Sequence, residues 1–411
     1  MVDRRAVVTG ISSALASVAT GLAPRATLSQ ERPSLASGLP QGVYDTAILD
    51  ALPGKKPLIK LTYRPPNYET PVSYFQTAIT PNDAFFVRYH LADIPEKIDG
   101  ASWRLQVGGE AATTPFQLSL AELQTGFEQI EITAVCQCAG NRRGLSQPHV
   151  PGVEWGLGAM GNAVWRGARL KDLLTKAGLR KQAVEIVING ADGPEIDKTP
   201  DFVKSIPLWK AVDENTIVAH QMNGQPLPHF NGFPARLIVP GWTGTYWMKH
   251  LITIEAVTKP FTGFWMRAAY RIPTGKFPIV QHFLSQMTDA NEPITEMVVN
   301  SVIAFPADHY QLRVGQSLDV GGVAWDGGYG LRQVEISTDN GTTWRAAELG
   351  PDIGRFAFRS WSYRFTPQAA GEHTLVVRAS NAIGQTQTEN LIFNPAGYHN
   401  NVVRSITITA V

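Results

Sequence analysis

The region from Met297 to Val411 consists of short stretches in which apolar and polar residues alternate, and this pattern constrains the fold more than any other feature. Alternation with a period of two is typical of strands that bury one face. Asn340-Gly341 has the composition of a hairpin turn. About seven such strands in ~115 residues predict an immunoglobulin-like sandwich over residues 293–411. Its expected buried tryptophans are Trp325, Trp344 and Trp361.

Residues 35–292 mix strand patterns with short helical patterns. LSLAELQTGF has helical spacing, with Ser119 as N-cap and Glu122 three residues later, and RLKDLLTKAG ends at Gly178. QIEITAVCQCAG and AVEIVING are strand-like. These patterns predict an α+β domain. The proline-rich residues 35–74 are expected to form an extended, irregular arm on its surface.

Composition excludes several functional classes. The 36 basic residues nearly balance the 35 acidic ones, which argues against nucleic acid as the main partner. There is no CxxCH motif for covalent haem and no CxxC pair for zinc. The nine histidines form no HxH or HxxxH pair, so a histidine-based metal site lacks support.

Both cysteines of the chain lie in the stretch AVCQCAGNRRG, where Cys136 and Cys138 fall on one face of a strand. A packed, inert thiol suits Cys136. A Cys136–Cys138 disulfide is disfavoured by the strain of its very small ring. Cys138 is instead a candidate reactive or metal-bound thiolate, because Arg142, Arg143 and the Gly140 turn would lower its pKa.

The stretch CQCAGNRRG resembles the Cys-Ala-Gly-Asn-Arg-Arg signature of the sulfite oxidase family, whose cysteine binds molybdenum. Further segments resemble the family in the same order, and the predicted sandwich is similar to its dimerisation domain. The resemblance extends from about Phe75 to the C-terminus. The matching segments are FFVRYH, GVEW, WRGARL, LPHFNGFPARLIVPG, YWMKHL and FWMRAAY.

The resemblance implies oxidation of sulfite to sulfate at one Mo-molybdopterin per chain. Cys138 matches the metal ligand, and Arg142 is expected to point away from the anion site. Guanidinium groups suit an oxyanion because they offer forked donors. The implied catalytic residues are Arg88 and Arg143 as sulfite-binding groups, His90 near the metal, Tyr270 as hydroxyl donor and Trp155 as pocket wall. The implied cofactor-binding residues are Phe86, Arg88, His90, Cys138, Asp192, Asn231, Arg236, Trp247, Met248 and Lys249.

Two departures from the animal enzymes affect the expected site. Asn231 stands where animal members commonly have histidine. The animal enzymes also carry an arginine near the end of the sandwich, whereas the comparable stretch here, Phe393–Asn401 (FNPAGYHNN), has none. Arg271 and Arg355 are the alternatives for a third anion contact.

Residues 1–74 do not accommodate the haem domain of animal sulfite oxidases, so a c-type cytochrome is expected as electron acceptor, either transient or as a tightly bound subunit. The assembly is then a homodimer or a heterodimer with that cytochrome. Arg4 and Arg5 precede an uncharged run, Ala6 to Pro24. This pattern resembles a twin-arginine export signal over residues 1–34 and implies the periplasm. No later segment is long and apolar enough to span a membrane.

Several rival functions are separable by simple observations. Family members that repair oxidised methionine are shorter and lack the sandwich, and nitrate reductases add haem and flavin domains. A non-catalytic secreted binding module would contain no molybdenum. A thiol hydrolase would lose acyl transfer on alkylation of Cys138 without releasing metal.

Overall fold

The computed structural model describes residues 48–274, 286–288 and 290–411, and the expected export signal at residues 1–34 lies outside them. Helices in the described chain are short. They are α1 (Leu120–Thr125), α2 (Leu170–Ala177), α3 (Leu208–Ala211) and α4 (Phe264–Arg267), with single 3-10 turns at Val72–Gln76, Arg143–Leu145, His229–Asn231 and Gly244–Tyr246.

Strands make up most of the regular structure. Those before residue 294 are β1 (Ile48–Asp50), β2 (Leu58–Thr62), β3 (Asn67–Glu69), β4 (Val87–Arg88), β5 (Arg104–Gly108), β6 (Phe116–Ser119), β7 (Gln129–Gln137), β8 (Met160–Arg169), β9 (Glu185–Gly190), β10 (Lys204–Pro207), β11 (Ile217–Met222), β12 (Gln225–Pro226), β13 (Arg236–Ile238), β14 (Leu251–Val257), β15 (Arg271–Pro273) and β16 (Asn291–Pro293). Those after it are β17 (Asn300–Phe305), β18 (Tyr310–Leu312), β19 (Leu318–Trp325), β20 (Leu331–Ser337), β21 (Arg345–Ala346), β22 (Glu348–Leu349), β23 (Arg359–Phe365), β24 (Gly371–Asn381) and β25 (Arg404–Ala410).

Three larger sheets build the first part of the chain. Their strand orders are β1-β2-β3-β4, β10-β9-β14-β5-β6 and β12-β11-β8-β7, with β13 also pairing β11. The expected α+β composition is therefore wrong in its balance: this part is mostly β, and its longest helix has eight residues. The helices stay short because a glycine ends the two longest, at Gly126 and Gly178.

The local signals around α1 and α2 are confirmed. The Ser119 backbone N–H donates to the Glu122 carboxylate at 2.7 Å, and the Glu122 backbone N–H donates to the Ser119 hydroxyl at 3.2 Å. These two hydrogen bonds complete the capping box. Gly178 takes a left-handed conformation, with φ of 67°, at the end of α2. The predicted start of α1 and the predicted end of α2 are both correct because each depends only on residues that are close in sequence.

The prediction of an irregular arm over residues 35–74 is wrong for its described part. That segment forms β1 to β3, which pair with β4, and its apolar side chains form a small core of their own. The turn between β2 and β3 contains Pro65 and Pro66, so the proline content marks a hairpin connection here. The members of this core are Leu58, Tyr68, Val87 and Tyr89.

The C-terminal region forms the expected two-layer β sandwich. Its sheets have the strand orders β17-β19-β23-β22 and β18-β25-β24-β20-β21, and both contribute to one apolar core. Asn340 and Gly341 have φ of 55° and 85°, as a tight hairpin turn requires. Trp325 and Trp361 are buried, but Trp344 is half-buried beneath the Arg378 guanidinium. The closer likeness to an immunoglobulin domain stays a prediction.

The outer face of the sheet containing β17 and β19 packs on the first part of the chain. Val323 and Trp325 point out of the sandwich core and contact Val135 and Met160 in a shared apolar cluster. The Trp325 indole N–H donates to the Gln137 side chain at 2.5 Å. The strand β7 therefore packs directly against the C-terminal region. No helix in the described part of the chain is long and apolar enough to cross a membrane.

Arg142 joins the two parts through buried polar contacts. Its guanidinium donates to the backbone carbonyls of Ser301 at 2.6 Å and Val402 at 3.1 Å, and the side chain is fully buried. Burial lowers the pKa of Arg142 well below its ordinary value. Arg142 thus points away from the expected anion site, as predicted, and its guanidinium contacts the sandwich instead.

Replacing Arg142 tests this junction. Arg142→Met removes the donor to the buried Ser301 carbonyl and to the partly buried Val402 carbonyl, so we expect the free energy of unfolding to fall by about 2–3 kcal/mol. Arg364→Met is the matched control, since Arg364 is an exposed residue paired with Asp319, and it should cost less than about 1 kcal/mol. Chemical denaturation measures both, and equal effects of the two changes would contradict the junction.

Candidate active site

A single cavity lies where the chain leaves β4 and β7 and passes beside β13, and it contains about 630 Å³ of space free of protein atoms, part of it open to solvent. The cavity brings together eleven of the thirteen residues selected from the sequence. These are Phe86, Arg88, His90, Cys138, Asp192, Asn231, Arg236, Trp247, Met248, Lys249 and Tyr270. Arg143 and Trp155 do not line it.

Cys138 lies at the end of β7, in a turn whose backbone groups are bonded on both sides. Its N–H donates to the Ala159 carbonyl at 2.9 Å, and its carbonyl accepts the Asn141 N–H at 2.9 Å. The Asn141 side chain in turn accepts the Ala159 N–H at 3.0 Å. Cys138 is 7% exposed, and it lines the cavity. The turn therefore fixes the direction of the thiol.

The neighbouring loop is held by a carboxylate from β3. Glu69 accepts the backbone N–H groups of Gly156 and Gly158, both at 2.7 Å. Burial raises the pKa of Glu69 to about 7. Glycine is required at both positions, because an added Cβ would lie within 3 Å of the Glu69 side chain. The segment that sequence reasoning treated as an arm thus supports the Cys138 turn.

Arg88, His90 and Tyr270 form a hydrogen-bonded group on one wall. The Arg88 guanidinium donates to the Tyr270 hydroxyl at 3.4 Å, and the same hydroxyl is bonded to His90 Nε2. Asn67 holds Arg88 from behind, because its side-chain oxygen accepts from the guanidinium at 3.2 Å. His90 is stacked on Phe202, with ring centroids 3.6 Å apart. Phe202 was missed from the sequence because its segment carries no motif.

The protonation states of this group follow from burial. Burial, with the charges of Arg88, Lys249 and Lys204, holds the pKa of His90 well below its ordinary value, so the imidazole is neutral. Burial raises the pKa of Tyr270, against the lowering effect of Arg88, so its hydroxyl keeps its proton. The wall therefore offers one fixed positive charge and one hydroxyl donor.

Arg143 lies just outside the lining and is held by the C-terminal region. Its Nε donates to the Ala396 carbonyl at 2.7 Å, and the guanidinium lies 5.4 Å from the Tyr398 ring centroid. Tyr398 is stacked in turn on Tyr270, at 5.5 Å. The stretch that lacks the arginine of animal enzymes therefore supplies a tyrosine next to the site. Arg271 instead donates to the backbone carbonyl of Met266 at 3.1 Å.

Trp155 does not form a wall of the cavity. It is fully buried and lies behind Phe86, with the ring centroids 6.4 Å apart in an edge-to-face contact. Its position follows from the loop that Glu69 holds, which turns the indole inward. Arg355 is remote from the cavity lining, since its Nε donates to the Gly328 carbonyl at 2.6 Å.

The opposite wall is cationic and contains donors without partners among the described residues. Arg236 donates to the carbonyls of Asn231 and Trp247, both at 3.0 Å, but its Nε and the Thr245 hydroxyl have no partner there. Lys249 donates to the Arg88 carbonyl at 2.7 Å. Buried donors normally have acceptors. Such a wall fits a large, phosphate-bearing group.

The donor set also limits how a metal could bind. Among residues 48–274, 286–288 and 290–411, no cluster of three or more His, Cys, Asp or Glu side chains is placed to hold a metal ion. A metal in the cavity would therefore need ligands from a bound group in addition to Cys138. A pterin that carries its own sulfur ligands and a phosphate fits both walls.

Cys136 lies closer to the cavity than expected. It is a free, buried thiol, as is Cys138, but it also lines the cavity, with its sulfur 3.8 Å from the Arg236 guanidinium. Burial raises the pKa of Cys136 to about 11, so it stays protonated. The signal was present in the sequence, because residues two apart in a strand share a face.

Two family models match the chain: the oxidoreductase molybdopterin binding domain over residues 91–265 and the Mo-co oxidoreductase dimerisation domain over residues 291–410. The mitochondrial sulfite oxidase of Homo sapiens is 35% identical over 336 residues, which cover 79% of this chain and 60% of that protein. The chain thus spans about 60% of the length of this relative. Sulfite oxidase of Gallus gallus is 31% identical, with 82% and 75% covered.

A nitrate reductase from Hordeum vulgare is 30% identical, over 87% of this chain and 42% of that protein. Among solved structures, the sulfane dehydrogenase SoxCD from Paracoccus pantotrophus superposes with a TM-score of 0.72 at 23% identity, covering 95% of this chain and 93% of that one. This likeness concerns the fold.

A glycine in the Cys138 turn tests the packing around Arg143. A Cβ at Gly140 would lie 2.4 Å from an Arg143 guanidinium nitrogen, so Gly140→Ala must displace that side chain. We expect a loss of about 1–3 kcal/mol in unfolding free energy. Gly193→Ala is the control, because its Cβ would meet its nearest neighbour at 3.7 Å. Denaturation curves that coincide for the two variants would show that Arg143 is not confined.

Proposed function

Since the chain belongs to the sulfite oxidase family of molybdenum oxidoreductases, we propose that it oxidises sulfite to sulfate and passes the electrons singly to a c-type cytochrome. The observation that carries the proposal is the composition of the cavity. One thiol in a rigid turn, Cys138, shares the cavity with Arg88 and the Tyr270 hydroxyl. This combination suits a soft metal ligand beside an oxyanion site.

The cofactor would be held by the cationic wall. Lys249 and Arg236 suit the phosphate, the side chain of Asn231 suits the pterin ring, and Cys138 would ligate the metal. When bound, the molybdenum-pterin group supplies the two-electron oxidation of the substrate. The orphan donors on Arg236 and Thr245 are the features of this chain that such a group would satisfy.

Arg88 and Tyr270 would bind and orient the substrate. Arg88 is always charged, and Asn67 fixes the orientation of its guanidinium. The hydrogen-bond donor is therefore preorganised before an oxyanion binds. Arg143 adds a second positive charge from behind Tyr398. The aromatic groups Phe202, Trp265 and Tyr398 pack around His90 and Tyr270 and exclude water from this wall.

The reaction converts sulfite and one water into sulfate, two protons and two electrons, so protons must leave the cavity. The neutral His90 Nε2 can accept a hydrogen bond from the Tyr270 hydroxyl while Arg88 donates to the same oxygen. When a substrate oxygen is bound, the hydroxyl can turn and donate its hydrogen bond to that oxygen instead. Tyr270 is accordingly assigned to hold the substrate oxygen, and His90 to hold the hydroxyl in place.

An external one-electron acceptor is part of the proposal. The full sequence has no CxxCH motif, so this chain itself cannot attach a c-type haem covalently. The arginine pair Arg4-Arg5 supports export to the periplasm, where we place the enzyme. The match to a dimerisation domain supports assembly through the sandwich, either with a second copy or with a cytochrome subunit.

Cys138→Ser tests the metal ligand. A serine hydroxyl is a poor substitute for a soft thiolate, so we expect sulfite-dependent reduction of cytochrome c to fall by at least about 100-fold. Molybdenum content, pterin fluorescence and circular dichroism on the same preparations separate loss of metal from loss of fold. Full activity in the serine variant would refute the assignment of Cys138.

Arg88→Met tests the oxyanion site. Loss of one charged donor should raise the KM for sulfite by about tenfold or more. Arg355→Met is the matched control, because Arg355 is bound to a backbone carbonyl away from the cavity, and its KM should stay at the wild-type value. Normal sulfite saturation in the Arg88 variant would remove that residue from substrate binding.

Activity assays of the wild-type protein with three substrates distinguish between the family's activities. Sulfite should reduce cytochrome c, whereas nitrate and methionine sulfoxide should not be reduced when an artificial donor is supplied. Purified protein without molybdenum would instead support a non-catalytic binding module.

A further inference from the structure

Lys204 is a fully buried cation next to the cavity that no part of the proposed chemistry uses. It lies at the start of β10, two residues after Phe202, the aromatic ring stacked on His90. Its ammonium donates to the Trp265 carbonyl at 2.7 Å. No described acidic side chain forms an ion pair with it. Buried lysines without an acid partner are rare and costly, so this one requires a reason.

The ammonium faces two aromatic rings. It lies 4.6 Å from the ring centroid of Tyr246 and 5.2 Å from that of Tyr270. Tyr270 lines the cavity and bonds Arg88 and His90 through its hydroxyl. Lys204 is therefore separated from the oxyanion site by one aromatic ring.

The titratable and charged groups that surround Lys204 do not neutralise it. They are Tyr246 and Tyr270, whose pKa values are raised by burial, the neutral His90, and Arg271, whose charge disfavours a second cation. Burial, followed by Arg271, lowers the pKa of Lys204 to about 7. Its charge at neutral pH is therefore sensitive to any anion that enters the cavity.

We propose that Lys204 is a positioning residue that strengthens oxyanion binding through Tyr270, taking up a proton from solvent when the anion binds and returning it when the anion leaves. An anion placed at Arg88 and the Tyr270 hydroxyl would supply the negative charge that the buried ammonium lacks. The inference rests on the proposed function only in that the cavity accepts an oxyanion; it does not depend on which oxyanion is oxidised.

The direction of the pH dependence follows from linkage. Bound anion favours the protonated lysine, so it raises the pKa of Lys204. Affinity is then greatest where Lys204 is already protonated, below about pH 7, and falls as the pH rises above that value. Proton uptake on binding should be largest above pH 7, because there the free enzyme holds the lysine neutral.

The test is calorimetric titration of the purified holoenzyme with sulfate, from about pH 6 to about pH 9, in buffers of different ionisation enthalpy. Sulfate keeps its charge over this range and is not oxidised. We expect affinity to fall about tenfold across the range, with proton uptake that peaks at about half a proton per sulfate at about pH 7.5 and becomes small at both ends. Arg88→Met should abolish binding, which places the sulfate in the cavity.

Two substitutions at the same position separate charge from packing. Lys204→Arg carries its charge at every pH, so proton uptake should vanish while affinity at alkaline pH is retained or increased. Lys204→Met removes the charge, so uptake should vanish and affinity should fall to a pH-independent, weaker value. Its melting temperature should not drop, because a buried charge has been removed. Lys210→Met is the control, since Lys210 is a buried lysine paired with Asp213, and it should behave as wild type.

Proton uptake that persists in both Lys204 variants, or unchanged sulfate affinity in Lys204→Met, would overturn the inference. Absence of sulfate binding by the wild-type cavity would overturn both this inference and the anion site. If wild type binds sulfate with the expected uptake but does not oxidise sulfite, the role of Lys204 stands and the proposed function fails.

Discussion

The structure depends on how two neighbouring arginines after Cys138 are bound without carboxylates. Arg142 and Arg143 are both buried. Arg142 donates to the backbone carbonyls of Ser301 and Val402, and Arg143 donates to that of Ala396. Because a buried guanidinium is costly unless its donors find acceptors, these carbonyls fix the Cys138 turn against the sandwich. The second domain therefore supports the Cys138 turn, and through Tyr398 it also supports Tyr270.

The cavity concentrates positive charge and neutral donors, with few acids to balance them. Arg88, Arg236, Lys249 and Lys204 are all partly or fully buried, and Asp192 is the one acidic residue in the described cavity lining. Burial lowers the pKa of both lysines, whereas the guanidinium groups keep their charge. The cavity therefore has an excess of positive charge that anionic groups would neutralise. A phosphate-bearing cofactor and an oxyanion substrate are groups of this kind.

Short-range features were predictable from the sequence because they depend on neighbouring residues. The capping box at Ser119, the Gly178 helix end, the Asn340-Gly341 turn and the β7 strand that carries both cysteines all follow from local geometry. Contacts between distant segments were not predictable. The hairpin that places Asn67 behind Arg88 was mistaken for an irregular arm, and Trp155, which was expected to form a wall of the pocket, packs one layer behind Phe86.

The sequence by itself determined the order of the motifs, the family they resemble and the identity of eleven of the residues that line the cavity, because each motif is a local pattern of side chains with a definite chemistry. Tertiary structure alone decided which groups surround them. Neither Lys204, in β10, nor Tyr398, near the C-terminus, was selected as a site residue from the sequence, yet both contact Tyr270. Burial and electrostatic coupling arise only when segments far apart in sequence exclude water from the same space. A local sequence pattern does not indicate which distant segments meet in this way.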